Sequence, residues 1–197
     1  MEGLFFYGIA WVSWVVTTFL MRKTKMRLVL SAFLLLLIIS STSYQEVAGV
    51  RVYVSGILLF IIGVSFIAAS PKSKLLCSLY AVMIGMMYSM FHFIEIYDPV
   101  WLQVHRTILL GGILVMGSLF YSDHPFVSVG TLLMGTMQGE VILAITLREY
   151  GFHNYVGGFS HLDACFVAMV FLACIHAIFL FLRTSKKTTH TYVKGMK

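Results

Sequence analysis

The sequence predicts an all-α integral membrane protein: a bundle of seven transmembrane helices, N-terminus outside and C-terminus cytoplasmic. Three observations carry that prediction. Of 197 residues, 59% are hydrophobic and only 11% are charged, against roughly 45–50% and about 25% in soluble domains. Apolar runs of about twenty residues recur along the chain, and a helix rising about 1.5 Å per residue needs that length to cross a hydrocarbon core of roughly 30 Å. The basic residues gather between alternate runs, as cytoplasmic loops do.

The first span is read over residues 4–21, with Tyr7, Trp11, Trp14 and Thr18 at helical spacing on one face. Such a stripe packs against a neighbouring helix. Arg22, Lys23, Lys25 and Arg27 follow in a short loop held in the cytoplasm. The second span, 28–44, ends in Ser40, Ser41, Thr42 and Ser43, whose hydroxyls can bond back to helix carbonyls. A tight loop with Gln45, Glu46 and Arg51 leads to the third span, 52–70. There Gly56, Gly63 and Ser70 recur every seven residues as a seam for close helix contact. Pro71 stops that helix, and Lys72 and Lys74 mark the cytoplasmic side.

The fourth span, 75–94, carries Ser78, Ala81, Gly85, Ser89 and His92 along one face. The fifth, 101–121, has His105 and Arg106 in its first turns and Gly111-Gly112 as a flexible point. The sixth, 126–147, is apolar except for Glu140 and holds the small-residue series Thr131, Gly135, Gly139. The seventh is read over 164–182. Residues 1–182 thus form one seven-span domain, and 183–197 a basic cytoplasmic tail. The tail is expected to lie on anionic headgroups without folded structure of its own.

With the N-terminus outside, eleven of the fourteen basic residues fall on the cytoplasmic side and three, Arg51, Arg106 and Arg148, outside. That bias supports both the orientation and the count, and it accounts for the formal charge of +6 without nucleic acid. Tyr44, Tyr53, Tyr97, Trp101, Tyr150 and Tyr155 fall at the outer boundary, as an interfacial aromatic belt does. Cys77, Cys165 and Cys174 sit inside apolar runs without CxxC spacing, so they are read as small hydrophobes rather than disulfide partners. The opening Met-Glu-Gly lacks a basic leader, so the first run is expected to stay as a span.

Two groups of residues are candidates for chemistry. Glu140, with Gln138 close by in the sixth span, is the first. A carboxyl inside a span must pair, reach water or be protonated, which suits a proton or cation site and equally suits a hydrogen bond joining helices. The second is the outer rim, where His92 and Glu95 stand at i and i+3 and His161 and Asp163 precede the seventh span. Imidazoles and carboxylates in that number can hold a divalent metal or form a solvated polar rim. The last span carries a lone His176 where metal-dependent seven-span hydrolases have a paired HxxxH, and His176 is read as an interhelical hydrogen-bonding residue. Met83, Met86, Met87 and Met90 spread around the fourth helix and are read as packing rather than as soft ligands. No phosphate loop, triad spacing or dinucleotide fingerprint occurs.

The opening MEGLFFYGIAWVSWVVTTFLMRK, the length and the layout of spans resemble the YphA-like membrane proteins of spore-forming Gram-positive bacteria. The resemblance implies a plasma-membrane protein and brings no catalytic residues with it. Three functions stay open. A non-enzymatic assembly or regulatory protein, acting on itself as an oligomer or on another membrane protein, leads because catalytic patterns are lacking. A small proton- or cation-coupled transporter using Glu140 is the first alternative. An intramembrane metal-dependent hydrolase is the second. No cofactor is predicted.

Overall fold

A computed structural model describes residues 2–47, 49–98, 105–121, 124–151 and 155–195, with the backbone alone from residue 183 onward. Among the described residues seven α-helices follow one another: α1 (Leu4–Val15), α2 (Lys25–Ser40), α3 (Val54–Ala68), α4 (Lys74–Tyr97), α5 (Arg106–Tyr121), α6 (Pro125–Glu149) and α7 (Phe159–Gly195). A π-helical turn at Val16–Leu20 extends α1. Three strands, β1 (Tyr44–Val47), β2 (Val50–Tyr53) and β3 (Tyr155–Val156), form a small sheet in the order β1-β2-β3.

The helices alternate in direction. The start of α1, the end of α2, the start of α3, the end of α4 and the starts of α5 and α7 share one end of the bundle with the sheet. Tyr7 Oη meets Ser41 Oγ at 3.0 Å, the Tyr53 and Phe159 rings lie 6.2 Å apart, and Arg106 bonds Glu2, Glu95 and Ser160. We call this the sheet end, and the opposite one, with the lysines at 23, 25, 72 and 74, the basic end.

Helix α6 is the axis of the bundle. It carries more buried residues than any other described helix segment, and α3, α4, α5 and α7 all pack on it. Its glycines set the distance of approach. A Cβ added to Gly135 would lie 2.5 Å from the Ala81 carbonyl oxygen, and one on Gly139 would lie 2.6 Å from that of Gly85. The α4 and α6 backbones therefore touch, and Ser89 Oγ ties them by donating to the Gly139 carbonyl at 2.8 Å. On the other side of α6, a Cβ on Gly63 would meet the Met134 amide at 2.8 Å. The expected seams on the third, fourth and sixth spans are thus the contacts of α3 and α4 with α6. Side chains too small to hold backbones apart let dispersion act between helices that lipid would otherwise solvate equally well.

Phe6, Ile84, Tyr88, Leu114, Leu132, Leu162 and Leu172 are fully buried in the common core. Large apolar side chains cover the outside instead, among them Phe19, Leu75, Phe120, Phe181 and the four α4 methionines. Only a hydrocarbon solvent accommodates such a surface on this scale. Helices α4, α6 and the Phe159–Leu182 part of α7 are long and apolar enough to cross a membrane; α1 with its π turn, α3 and α5 are shorter apolar helices.

Several expected boundaries move. The second span ends at Ser40 rather than 44, yet the back-bonding holds: Ser40, Ser41 and Thr42 donate to the carbonyls of Leu37, Ile38 and Ile39. The tight loop is an antiparallel hairpin, β1 on β2, and Val52 and Tyr53 are strand rather than helix. Gly49 turns it with φ +79°. Helix α4 runs on past Ile94, so Glu95 is helical. Helix α5 starts at Arg106 and leaves His105 before it; the expected start at Trp101 lies outside the described residues. Helix α7 begins at Phe159, five positions before the expected 164, and its backbone stays helical to Gly195 instead of ending near Leu182. Of the aromatic stripe, Tyr7 packs inward on α2 while Trp11 stays about half exposed. Cys77 and Cys165 are buried, whereas Cys174 faces outward.

Candidate functional site

Glu140 lies three residues beyond the α6 midpoint at Met137, about 4.5 Å toward the sheet end by the helical rise. It is 7% exposed. Two neutral donors hold it. Tyr88 on α4 donates its hydroxyl to Oε1, and the Gly157 backbone N–H donates to Oε2 at 3.2 Å. Tyr88 is itself fully buried, and a buried phenol needs a partner for its hydroxyl. The Gly139 contact brings α4 close enough to supply it.

Gly157 reaches Glu140 because β3 runs parallel to β2 and turns inward directly afterwards. Its φ of +73° is a left-handed conformation suited to glycine. A Cβ there would lie 2.9 Å from Gly56 Cα, so two glycines allow the loop to sit on α3 and present its amide.

Above Glu140, toward the sheet end, lies a cavity of about 610 Å³. Glu140 and His161 are buried at its floor, while Glu2 and Tyr155 stand exposed at its rim. Its charges are unevenly matched. Arg106 is shared by Glu95 Oε1 at 3.3 Å, Glu2 Oε1 at 3.3 Å and Ser160 Oγ at 2.9 Å. Glu95 also takes His92 Nδ1 at 3.1 Å. Among the described residues Glu140 forms no salt bridge, and the His161 imidazole is a base that interacts with it electrostatically. His92 Nε2 is buried and lacks a hydrogen-bond partner there. His161 stacks edge-on to Tyr88 with centroids 5.9 Å apart and contacts Cys165 Sγ at 3.5 Å; that thiol in turn meets Thr136 Oγ1 at 3.3 Å.

The candidates from sequence therefore separate. His92, Glu95, His161 and Glu140 line one cavity. Asp163 does not join them: its Oδ2 accepts from the Gly3 N–H at 2.8 Å and its Oδ1 from the Phe6 N–H at 2.7 Å. It caps the N-terminus of α1 across the bundle, satisfying donors that helix geometry leaves open. Among the described residues no three His, Cys, Asp or Glu side chains group as metal ligands. Gln138 faces away from Glu140, into an apolar groove with Ile57, Phe60 and Val82, and its Oε1 is buried without a partner. His176 is half-buried, and its Nε2 too lacks the expected hydrogen bond among the described residues.

Sequence reasoning missed Tyr88, Gly157, Glu2 and Ser160. Tyr88 had a signal: it lies four residues before His92 on the same helix face, and an intramembrane carboxyl calls for a buried donor. Gly157 had none, since an amide aimed by a tertiary turn leaves no mark in composition.

A small-residue helix bundle with an apolar exterior and a buried carboxyl beneath a polar mouth defines the class: an integral membrane protein. The chain belongs to the YphA-like integral membrane protein family, whose family model matches residues 2–197. It is similar to the uncharacterized protein YphA of Bacillus subtilis (strain 168), with 24% identity over 176 residues, covering 87% of this chain and 86% of that one. No solved structure matches it.

Proposed function

We propose that this is a non-enzymatic protein of the cytoplasmic membrane, crossing it seven times with the N-terminus outside, whose polar cavity takes up a proton or small cation at Glu140. The observation that carries the reading is the buried Glu140 carboxyl, whose hydrogen bonds among the described residues come from the Tyr88 hydroxyl and the Gly157 amide. A buried carboxylate bonded by neutral donors, with no salt bridge among the described residues and only the His161 imidazole acting on it electrostatically, favours taking up a positive charge or a proton. The ionisable groups around it are Tyr88, His92 and Glu95 on α4, Arg106 on α5, His161 on α7 and Glu2 before α1. Arg106 is engaged by Glu95, Glu2 and Ser160, and His92 by Glu95. The charge bias of the loops turns the cavity outward. Uptake of this kind serves a proton- or cation-coupled carrier, and it equally serves a regulator that reports the outside to a membrane partner.

The experiment is an infrared titration of purified protein in nanodiscs. Acidification is expected to raise a protonated-carboxyl C=O band that Glu140→Gln lacks, while the variant remains folded. An amide keeps a hydrogen-bonding donor and acceptor but does not titrate in this range. Identical band changes in both proteins, with Glu140→Gln fully rescuing a gene deletion, would remove the site and leave Glu140 as a link between helices.

A further inference from the structure

We infer that the cavity above Glu140 binds a protonated organic amine with an apolar body, an inference that rests on the Glu140 site proposed above and names its ligand class. Four features of the cavity select that chemistry.

The first is charge. Three carboxyls, Glu2, Glu95 and Glu140, stand against one guanidinium, Arg106. Even with His161 charged, three carboxylates outnumber two cations while His92 is neutral, so the cavity favours a cation over an anion. The second is the state of Arg106. Glu2, Glu95 and Ser160 already engage it, so it is not free to clamp a ligand carboxylate. A monocationic amine fits better than a zwitterion such as an amino acid.

The third is the wall. Tyr53, Tyr155 and Phe159 line one side of the cavity, with Tyr53 lying 6.2 Å from each of the other two rings. Aromatic faces attract cations through the ring quadrupole and shelter an apolar body. Tyr155 already does so for Arg51, whose guanidinium carbon lies 5.9 Å from its centroid. A hydrated inorganic ion gains little from three rings and finds no cluster of three ligands among the described residues.

The fourth is the pattern of acceptors. His92 gives its Nδ1–H to Glu95, which leaves the neutral ring a lone pair at Nε2. That atom is buried without a partner among the described residues. Tyr88 links the two sites, its hydroxyl on Glu140 and its ring 4.7 Å from the His92 ring. The cavity thus sets a carboxylate and an imidazole acceptor on either side of Tyr88, a donor-free pairing that suits an ammonium better than an anion. At about 610 Å³ the cavity also lies within the roughly 300–1,000 Å³ range of small-molecule sites.

The test is calorimetric titration of the full chain in nanodiscs with benzylammonium, and with benzyl alcohol and potassium chloride as controls. Benzylammonium is expected to bind and the controls are not. Glu140→Gln should weaken binding at least about tenfold, as loss of a buried charge partner does. Tyr53→Leu should weaken it about three- to thirty-fold, the range of one desolvated cation–π contact. Tyr155→Leu, at the exposed rim, provides the same reading if the deeper variants fold poorly. Failure of benzylammonium to bind at millimolar concentration, or equal binding of benzyl alcohol, would overturn the amine site. The infrared band of Glu140 would then still decide the proton site by itself.

Discussion

Tyr88 and Glu140, 52 positions apart in sequence, meet through a phenol–carboxyl hydrogen bond in the buried interior where α4 crosses α6. The bond depends on the glycines beside it. Gly139, next to Glu140, lets α4 approach until its hypothetical Cβ would stand 2.9 Å from the Tyr88 ring. Backbone contact and polar contact are thus one arrangement: the seam sets the helix distance, and the carboxyl uses that distance.

Tyr88→Phe should leave Glu140 Oε1 without its donor while keeping the ring in place. The expected loss is about 1–3 kcal/mol, the cost of leaving a buried polar group unpaired. It is read as a lower unfolding temperature in detergent and a shifted Glu140 carboxyl band.

Gly135→Ala should destabilise the protein by about 1–3 kcal/mol, because the added methyl meets the Ala81 carbonyl at 2.5 Å and the two backbones must part. Gly8→Ala is the matching control. Nothing lies within 4 Å of its added Cβ, and alanine is the better helix former. Thermal unfolding should fall for the first variant and stay level or rise for the second.

Asp163→Ala should cost about 1–2 kcal/mol by removing the cap of α1, with Asp163→Asn intermediate because an amide offers one acceptor oxygen instead of two. Hydrogen exchange should quicken in the first turn of α1 before it does elsewhere. Equal exchange in wild type and Asp163→Ala would show that the cap does not hold α1.

Single cysteines placed at Glu46 and at Lys23, in a Cys174→Ser background, test the orientation. A membrane-impermeant maleimide applied to intact cells should label the first, on the exposed hairpin, and not the second. Labelling reversed between the two positions would invert the topology.

In the hairpin, Arg51 Nε pairs with Glu46 Oε1 at 3.2 Å. That bond, with the charge of Glu46, raises the Arg51 pKa above its ordinary value. Both groups are solvent-exposed, so the pair orders the strand edge and contributes little to stability.

The sequence by itself determined the class. Apolar runs of bilayer length admit few structures other than helices, because every backbone polar group in lipid must be satisfied within its own segment. The small-residue series on the third, fourth and sixth spans announced which faces pack closely, since small residues such as glycine, alanine, serine and threonine permit such contact. Glu140 announced itself as an ionisable group set among apolar residues. The tertiary structure decided what those residues meet. Asp163 looked like a metal ligand beside His161, yet one turn of extra helix at the start of α7 aims it at the α1 amides. Gln138 and Glu140 flank the glycine seam on opposite sides of α6, but only the packing decides that Gln138 meets the groove with Phe60 while Glu140 meets Tyr88. Gly157 carried no sign of function, because its amide reaches Glu140 through a strand pairing formed by residues more than a hundred positions apart. Helix period and hydrophobicity are local properties that a sequence displays directly, whereas the partner of a buried carboxyl is chosen by which backbones close around it.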